Sequence, residues 1–162
     1  MIKKSNGFLE EYYSLCRSGE IIVGQELLTE LEQLMDDIND DEYIFDTSDA
    51  DKRISFIENC LRLTKSPFYG QQFKLELFQK AFISALYGFK MQDGTDRFQQ
   101  ALYLIARKNG KSEFCSALLL TEMIIGGKGL DIVCSSNDDN QANILYQACD
   151  TMRVMIDPEN RD

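Results

Sequence analysis

The residues best placed to do chemistry are Lys111 and Ser112, the last two of a short polar loop, Ala106-Arg107-Lys108-Asn109-Gly110-Lys111-Ser112. An apolar run at 101–105 precedes the loop, and a helix-like apolar pattern follows it as far as Gly126-Gly127. A strand, a tight loop ending in Gly-Lys-Ser and then a helix is the setting a phosphate-binding loop requires. A helix N-terminus presents unpaired backbone N–H groups and about half a positive charge, both of which attract phosphate oxygens. Lys111 adds a point charge for the β- and γ-phosphates, and Ser112 offers a hydroxyl to Mg²⁺. Arg107, Lys108, Asn109 and Gly110 make up the rest of the nucleotide-binding loop. The usual pattern is G-x-x-x-x-G-K-[ST], and its first glycine falls on Ile105 here. The loop is therefore a deviant one, with Arg107 and Lys108 standing where glycine would give flexibility. A plain basic turn is the bland alternative.

Composition narrows the remaining chemistry. The 162 residues suit one domain, or one domain with an appendage, and can bury a real core. There is no histidine, which removes a His-based triad and a His-ligated zinc site. The five cysteines, Cys16, Cys60, Cys115, Cys134 and Cys149, are scattered without a Cys-x-x-Cys pair and read as reduced core thiols. No leading hydrophobic segment and no membrane-length apolar run occurs, so a cytoplasmic, membrane-free protein is expected. The net charge of −10 is uneven: residues 1–50 carry thirteen acids and three bases, whereas 51–162 carry fourteen of each. The first third would repel a nucleic-acid backbone, so DNA would be met through the later part or through another chain. As a bland alternative, the acids form a solvated helical face.

The elements that must position the loop follow from apolar spacing. A helix is expected over 8–18, with Phe8, Tyr12 and Leu15 on one face and Gly19 as its cap. A second runs over 25–38, burying Leu27, Leu28, Leu31, Leu34, Met35 and Ile38. A third follows the N-cap cluster 46–49 to about Leu63, burying Ile54, Ile57, Cys60 and Leu61. A fourth spans 73–89, with Leu75, Phe78, Phe82, Leu86 and Phe89 sharing a face and Gln79 inside it. Residues 91–97 read as a polar loop. After the 101–126 unit, 130–134 reads as a second buried strand. A last helix runs over about 139–155 with Ile144, Leu145, Ala148, Cys149 and Met152 inward, and Asp157-Pro158 stops it. Strand, loop, helix, strand, helix is the start of a doubly wound parallel α/β unit.

Three stretches make the chain resemble the large terminase subunits of tailed bacteriophages, ATP-driven motors that package DNA into procapsids. EEYYSLCRSGEIIVG resembles the family's N-terminal helical segment. YIFDTSDADKRISFIENCLRL followed by FKLELFQKAFISALYGF resembles its adenine-side region. LYLIARKNGKSE with DIVCSSNDDNQANILYQA resembles its deviant Walker A loop and the strand and helix after it. The resemblance implies that Lys111 and Ser112 are the Walker A lysine and the Mg²⁺-coordinating hydroxyl. It implies that Arg107 is catalytic with Lys111, acting on the γ-phosphate. It also implies that Gln79 recognises adenine, which suits an amide that donates and accepts at once. ATP and Mg²⁺ are the implied ligands. Double-stranded DNA, portal and small terminase subunit are the implied partners of the full motor, in the cytoplasm of a bacterial host.

The expected architecture is thus helix-rich α/β, with an N-terminal helical region at 1–66 and a partial P-loop ATPase domain at 67–162. No apolar run here ends in the adjacent Asp-Glu of a Walker B strand, and no nuclease carboxylate cluster appears. Glu113 and Glu122 lie on the helix after the loop, and Glu113 is expected to point away from the γ-phosphate. The chain alone should therefore be weakly active or inactive, a cloned fragment or a truncated prophage gene, self-associating through an incomplete sheet. Two other readings fit the same residues: a non-catalytic interaction module, or another P-loop ATPase such as a helicase.

Overall fold

The computed structural model describes residues 7–127, 129–136 and 138–159. It is helix-rich: α1 (Phe8–Ser18), α2 (Gln25–Asp37), α3 (Ser48–Cys60), α4 (Leu77–Gly88), α5 (Lys111–Thr121) and α6 (Asp139–Ile156). Two short strands, β1 (Tyr43–Phe45) and β2 (Phe89–Met91), pair antiparallel with Phe45 opposite Phe89 and Tyr43 opposite Met91. The chain packs as two compact units. One holds Met1–Ile54 with Leu75–Leu102, the other Ser55–Lys74 with Tyr103–Asp162. These units interleave along the chain, a different partition from the 66/67 division that motif order suggests.

In the first unit the core gathers Leu9, Tyr12 and Cys16 of α1, Leu31 of α2, Ala81 of α4 and Phe89. The buried stripe of α1 is thus turned one residue from the expected Phe8–Tyr12–Leu15 face. Gly19 does cap the helix, at φ 82°, where a Cβ would be strained. Phe89 is fully buried, its ring 4.6 Å from that of Phe45 and near-perpendicular to those of Tyr43 and Phe98 at 6.4 and 6.0 Å.

The expected polar loop at 91–97 contributes to this core. The Arg97 guanidinium lies 3.8 Å from the centre of the Tyr43 ring and 2.6 Å from Asp37 Oδ2, an ion contact rather than an aligned hydrogen bond. Asp37 ends α2, where the helix dipole disfavours a negative charge. Arg97 and the Gln33 amide, which donates to Asp37 Oδ1 at 2.8 Å, offset that penalty.

In the second unit the backbone of 61–73 doubles back on itself. Leu63 N–H donates to the Gln71 carbonyl at 2.9 Å, Gly70 N–H to Leu63 at 2.8 Å and Phe73 N–H to Leu61 at 3.1 Å. α5 lies on α6, where small residues permit close approach: Ser116 Oγ donates to the Leu145 carbonyl at 3.2 Å, and the Cys149 thiol to the Ser116 carbonyl at 3.3 Å. Phe114, Ala117, Leu120, Ala148 and Met152 are buried. After Thr121 the helix widens into a π turn, Glu122–Gly126.

Several expectations need correcting. Residues 101–105 and 130–134 form no strand; the sheet found among the described residues is the antiparallel β1–β2 pair. A strand exists only through its ladder, and the ladder found among the described residues joins β1 to β2. Alternate side chains stand in solvent, Leu102 at 85%, Leu104 at 84% and Val133 at 86% exposed, whereas Tyr103, Ile105, Ile132 and Cys134 are half-buried. α4 begins at Leu77, not 73, because Phe73 is drawn into the bond with Leu61. It also ends at Gly88, because 89–91 is captured by β1. Cys60 is exposed, as are Leu27 and Ile144, so not every cysteine is a core thiol and those two helix faces are narrower than expected.

Candidate functional site

The loop at 106–112 ends where α5 begins. Gly110 is the residue before the helix and adopts a left-handed conformation, φ 70°. Lys108 does so too, at φ 69°, the non-glycine residue with positive φ among those described. Such a conformation costs an L-residue on the order of 1 kcal/mol and tends to occur at working sites. Asn109 steadies the turn, its amide donating to the Ala106 carbonyl at 3.4 Å. The first helical bond runs from Phe114 N–H to the Gly110 carbonyl at 2.9 Å. The N–H groups of Lys111, Ser112 and Glu113 therefore stand free at the helix start.

These groups open onto a hollow of about 370 Å³ lined by Lys65, Ala106, Arg107, Lys108, Gly110, Lys111, Ser112 and Glu113. Five of the expected loop residues thus meet at one place, and Asn109 shapes the loop beside them. Arg107, Lys108, Lys111 and Lys65 are all exposed, and none has an acidic partner among the described residues. Four cations and a helix N-terminus leave this hollow strongly attractive to a polyanion. The Ser112 hydroxyl is half-buried and has no hydrogen-bond partner among the described residues. A triphosphate with Mg²⁺ fits this donor set: the cations and N–H groups would meet phosphate oxygens, and Ser112 could offer one oxygen to the metal.

Lys65 was not singled out from sequence, and Glu113, expected to point away from the γ-phosphate, was given no partner there. Glu113 is buried, and its carboxylate accepts from Thr64 twice, from the backbone N–H at 3.0 Å and from the hydroxyl. It is spoken for as an acceptor, and it anchors Lys65 beside the loop. A separation of 49 residues left no local signal for this contact. Two residues on along α5, burial pushes the Cys115 thiol above its ordinary value, and the opposing pull of Lys111 does not offset this.

Gln79 belongs to the first unit. It is buried on α4, and its Oε1 accepts the Glu76 N–H at 2.9 Å, closing the start of the helix. Sequence analysis did not foresee that capping bond. Among the described residues, no group of three or more Cys, Asp or Glu is arranged to hold a metal ion, and no helix is long and apolar enough to cross a membrane.

A basic hollow at a helix start, entered through a Gly-Lys-Ser loop, has the charge and donors that suit a phosphate-bearing ligand. The chain belongs to the terminase large subunit family: residues 77–158 match the family described as "Terminase large subunit, ATPase domain". It is 36% identical over 112 residues to "Terminase, large subunit" of Enterobacteria phage HK97. That match covers 68% of this chain and 21% of the relative, so the chain spans about a fifth of that protein's length. No solved structure matches the chain.

Proposed function

We propose that this chain is the N-terminal, ATP-binding part of a terminase large subunit, a motor that uses ATP to package viral DNA into procapsids. The observation that carries the reading is the hollow at the start of α5, where Arg107, Lys108, Lys111 and Ser112 converge inside the segment matching the family's ATPase domain. Lys111 and the free N–H groups bind the β- and γ-phosphates. Ser112 would hold Mg²⁺, which would supply charge neutralisation to the phosphates. Arg107 faces the γ-phosphate as the catalytic cation, and Lys108, Asn109 and Gly110 shape the cradle. In this proposal the loop is a deviant Walker A motif of a P-loop domain. Residues 101–105 and 130–134 would pair as strands there only with neighbouring strands supplied from elsewhere or from a second copy, to which Leu102, Leu104 and Val133 are exposed. Residues 1–66 form the helical region and 67–162 the ATPase part. DNA, portal and small terminase subunit are the partners of the whole motor in the host cytoplasm.

Mg-ATP titrated into the purified chain tests the reading, and heat of binding saturating at one site is expected. These 162 residues alone should release phosphate far more slowly than about 1 per second. Phosphoryl transfer needs a second acid on the metal and a group orienting water, and Glu113 is already committed to Thr64. Steady-state phosphate release measures this, and turnover near 1 per second that vanishes in Lys111→Ala would refute the account of the missing acid.

Gln79 is the proposed adenine reader. Its Nε2 and one lone pair of Oε1 remain for a base edge after the Glu76 bond is made. Gln79→Ala should reduce the preference for ATP over GTP while leaving triphosphate affinity largely in place. Competition binding with the two nucleotides reads this, and a wild-type protein with no preference sinks the assignment.

A further inference from the structure

We propose that Lys65 is a fourth phosphate-contacting cation of this site, and that the Thr64–Glu113 contact is what positions it. The inference rests on the reading of the 106–112 loop as a nucleotide site. Three observations carry it.

Lys65 lines the same hollow as Arg107, Lys108 and Lys111, although it lies more than forty residues earlier in the chain. It has no acidic partner among the described residues, so its ammonium is available. Its neighbour Thr64 is tied through both backbone N–H and hydroxyl to Glu113, the residue after Ser112. An exposed lysine on a free loop loses much rotamer and backbone entropy on binding a ligand. This one starts from a backbone already fixed on both sides. Thr64 is clamped to α5, and the Lys65 carbonyl accepts Phe68 N–H at 3.0 Å in the turn that follows. The clamp also explains a buried carboxylate beside a site meant for anions. Glu113 sits in the first turn of α5, where the helix dipole favours it, and its two oxygens are occupied by Thr64 rather than turned on the ligand. The loop supplies three cations from one direction, and Lys65 supplies the fourth from a separate segment. A tetra-anionic triphosphate is thereby gripped from two segments.

Calorimetric titration of Mg-ATP into the full 162-residue chain tests this with four single variants and one double variant. Lys65→Ala should weaken binding about tenfold, the effect of losing one charge-assisted contact, and Lys65→Arg should stay within about threefold of wild type. Thr64→Val keeps the side-chain volume and removes the hydroxyl arm of the clamp. In that background the loss on Lys65→Ala should shrink to about twofold, a coupling that a diffuse charge effect or a general loss of stability would not produce. Lys111→Ala separates the two claims. Loss of binding in Lys111→Ala with full affinity in Lys65→Ala overturns the Lys65 inference and leaves the loop assignment standing. Full affinity in both removes the nucleotide reading and this inference with it. An undiminished Lys65→Ala effect in the Thr64→Val background overturns the positioning role of the clamp.

Discussion

Lys111→Ala should weaken Mg-ATP binding by about 1.5–3 kcal/mol, a rise in dissociation constant of between about tenfold and about 150-fold. Lys111 is the first residue of α5, so its ammonium and its backbone N–H address the same bound anion. Substitution removes only the ammonium and leaves the N–H, which is why some affinity should survive. The side chain is exposed and without an acidic partner among the described residues, so the fold should be indifferent to the change. Calorimetry on wild type and variant, with thermal unfolding run alongside, separates binding from stability. Equal affinity in the two proteins would remove the loop from the nucleotide site.

Phe89→Ala should destabilise the chain by about 3–5 kcal/mol, the range for deleting a buried aromatic ring. The ring is fully buried, and it touches Phe45, Tyr43 and Phe98 while the Arg97 guanidinium lies 5.1 Å from its centre. Truncation leaves a cavity and also loosens the aromatic wall against which Arg97 neutralises Asp37. Domains of this size are stable by only about 5–15 kcal/mol, so the loss is a large fraction of the whole. Urea denaturation followed by circular dichroism would show it as a lower midpoint. A shift of less than about 1 kcal/mol would mean the aromatic cluster is not the core of this unit.

What could be read from sequence was local. The Gly19 cap, the extents of α1 and α2, the N-cap cluster before α3 and the stop at Asp157-Pro158 all depend on neighbours a few residues away, and all appear. The Gly110 left-handed turn into α5 is likewise a local event, and it brings Arg107, Lys108, Lys111 and Ser112 together. Contacts between distant residues left no trace in the pattern. β2 is hidden at the end of an apolar helical run because Phe89 looks the same in either state until Phe45 is placed opposite it. Arg97 reads as loop charge until Asp37 arrives sixty residues away. Lys65 and the Thr64–Glu113 contact escape notice for the same reason. The strands expected at 101–105 and 130–134 fail in the opposite sense: the local apolar signal is present, and among the described residues no neighbouring strand answers it.

The interleaving of the two compact units constrains how the chain can be cut. The backbone passes between them three times, after Ile54, after Lys74 and after Leu102. No single truncation point yields either unit free of residues from the other, and a fragment stopping at residue 66 holds part of each core and completes neither. Each core must instead close over a long intervening segment, which raises contact order and slows assembly relative to a bundle built from sequential helices. A nascent chain emerging from the ribosome would hold α1 and α2 exposed until α4 has been synthesised, and the acidic surface of that segment would help keep the unfinished chain dispersed.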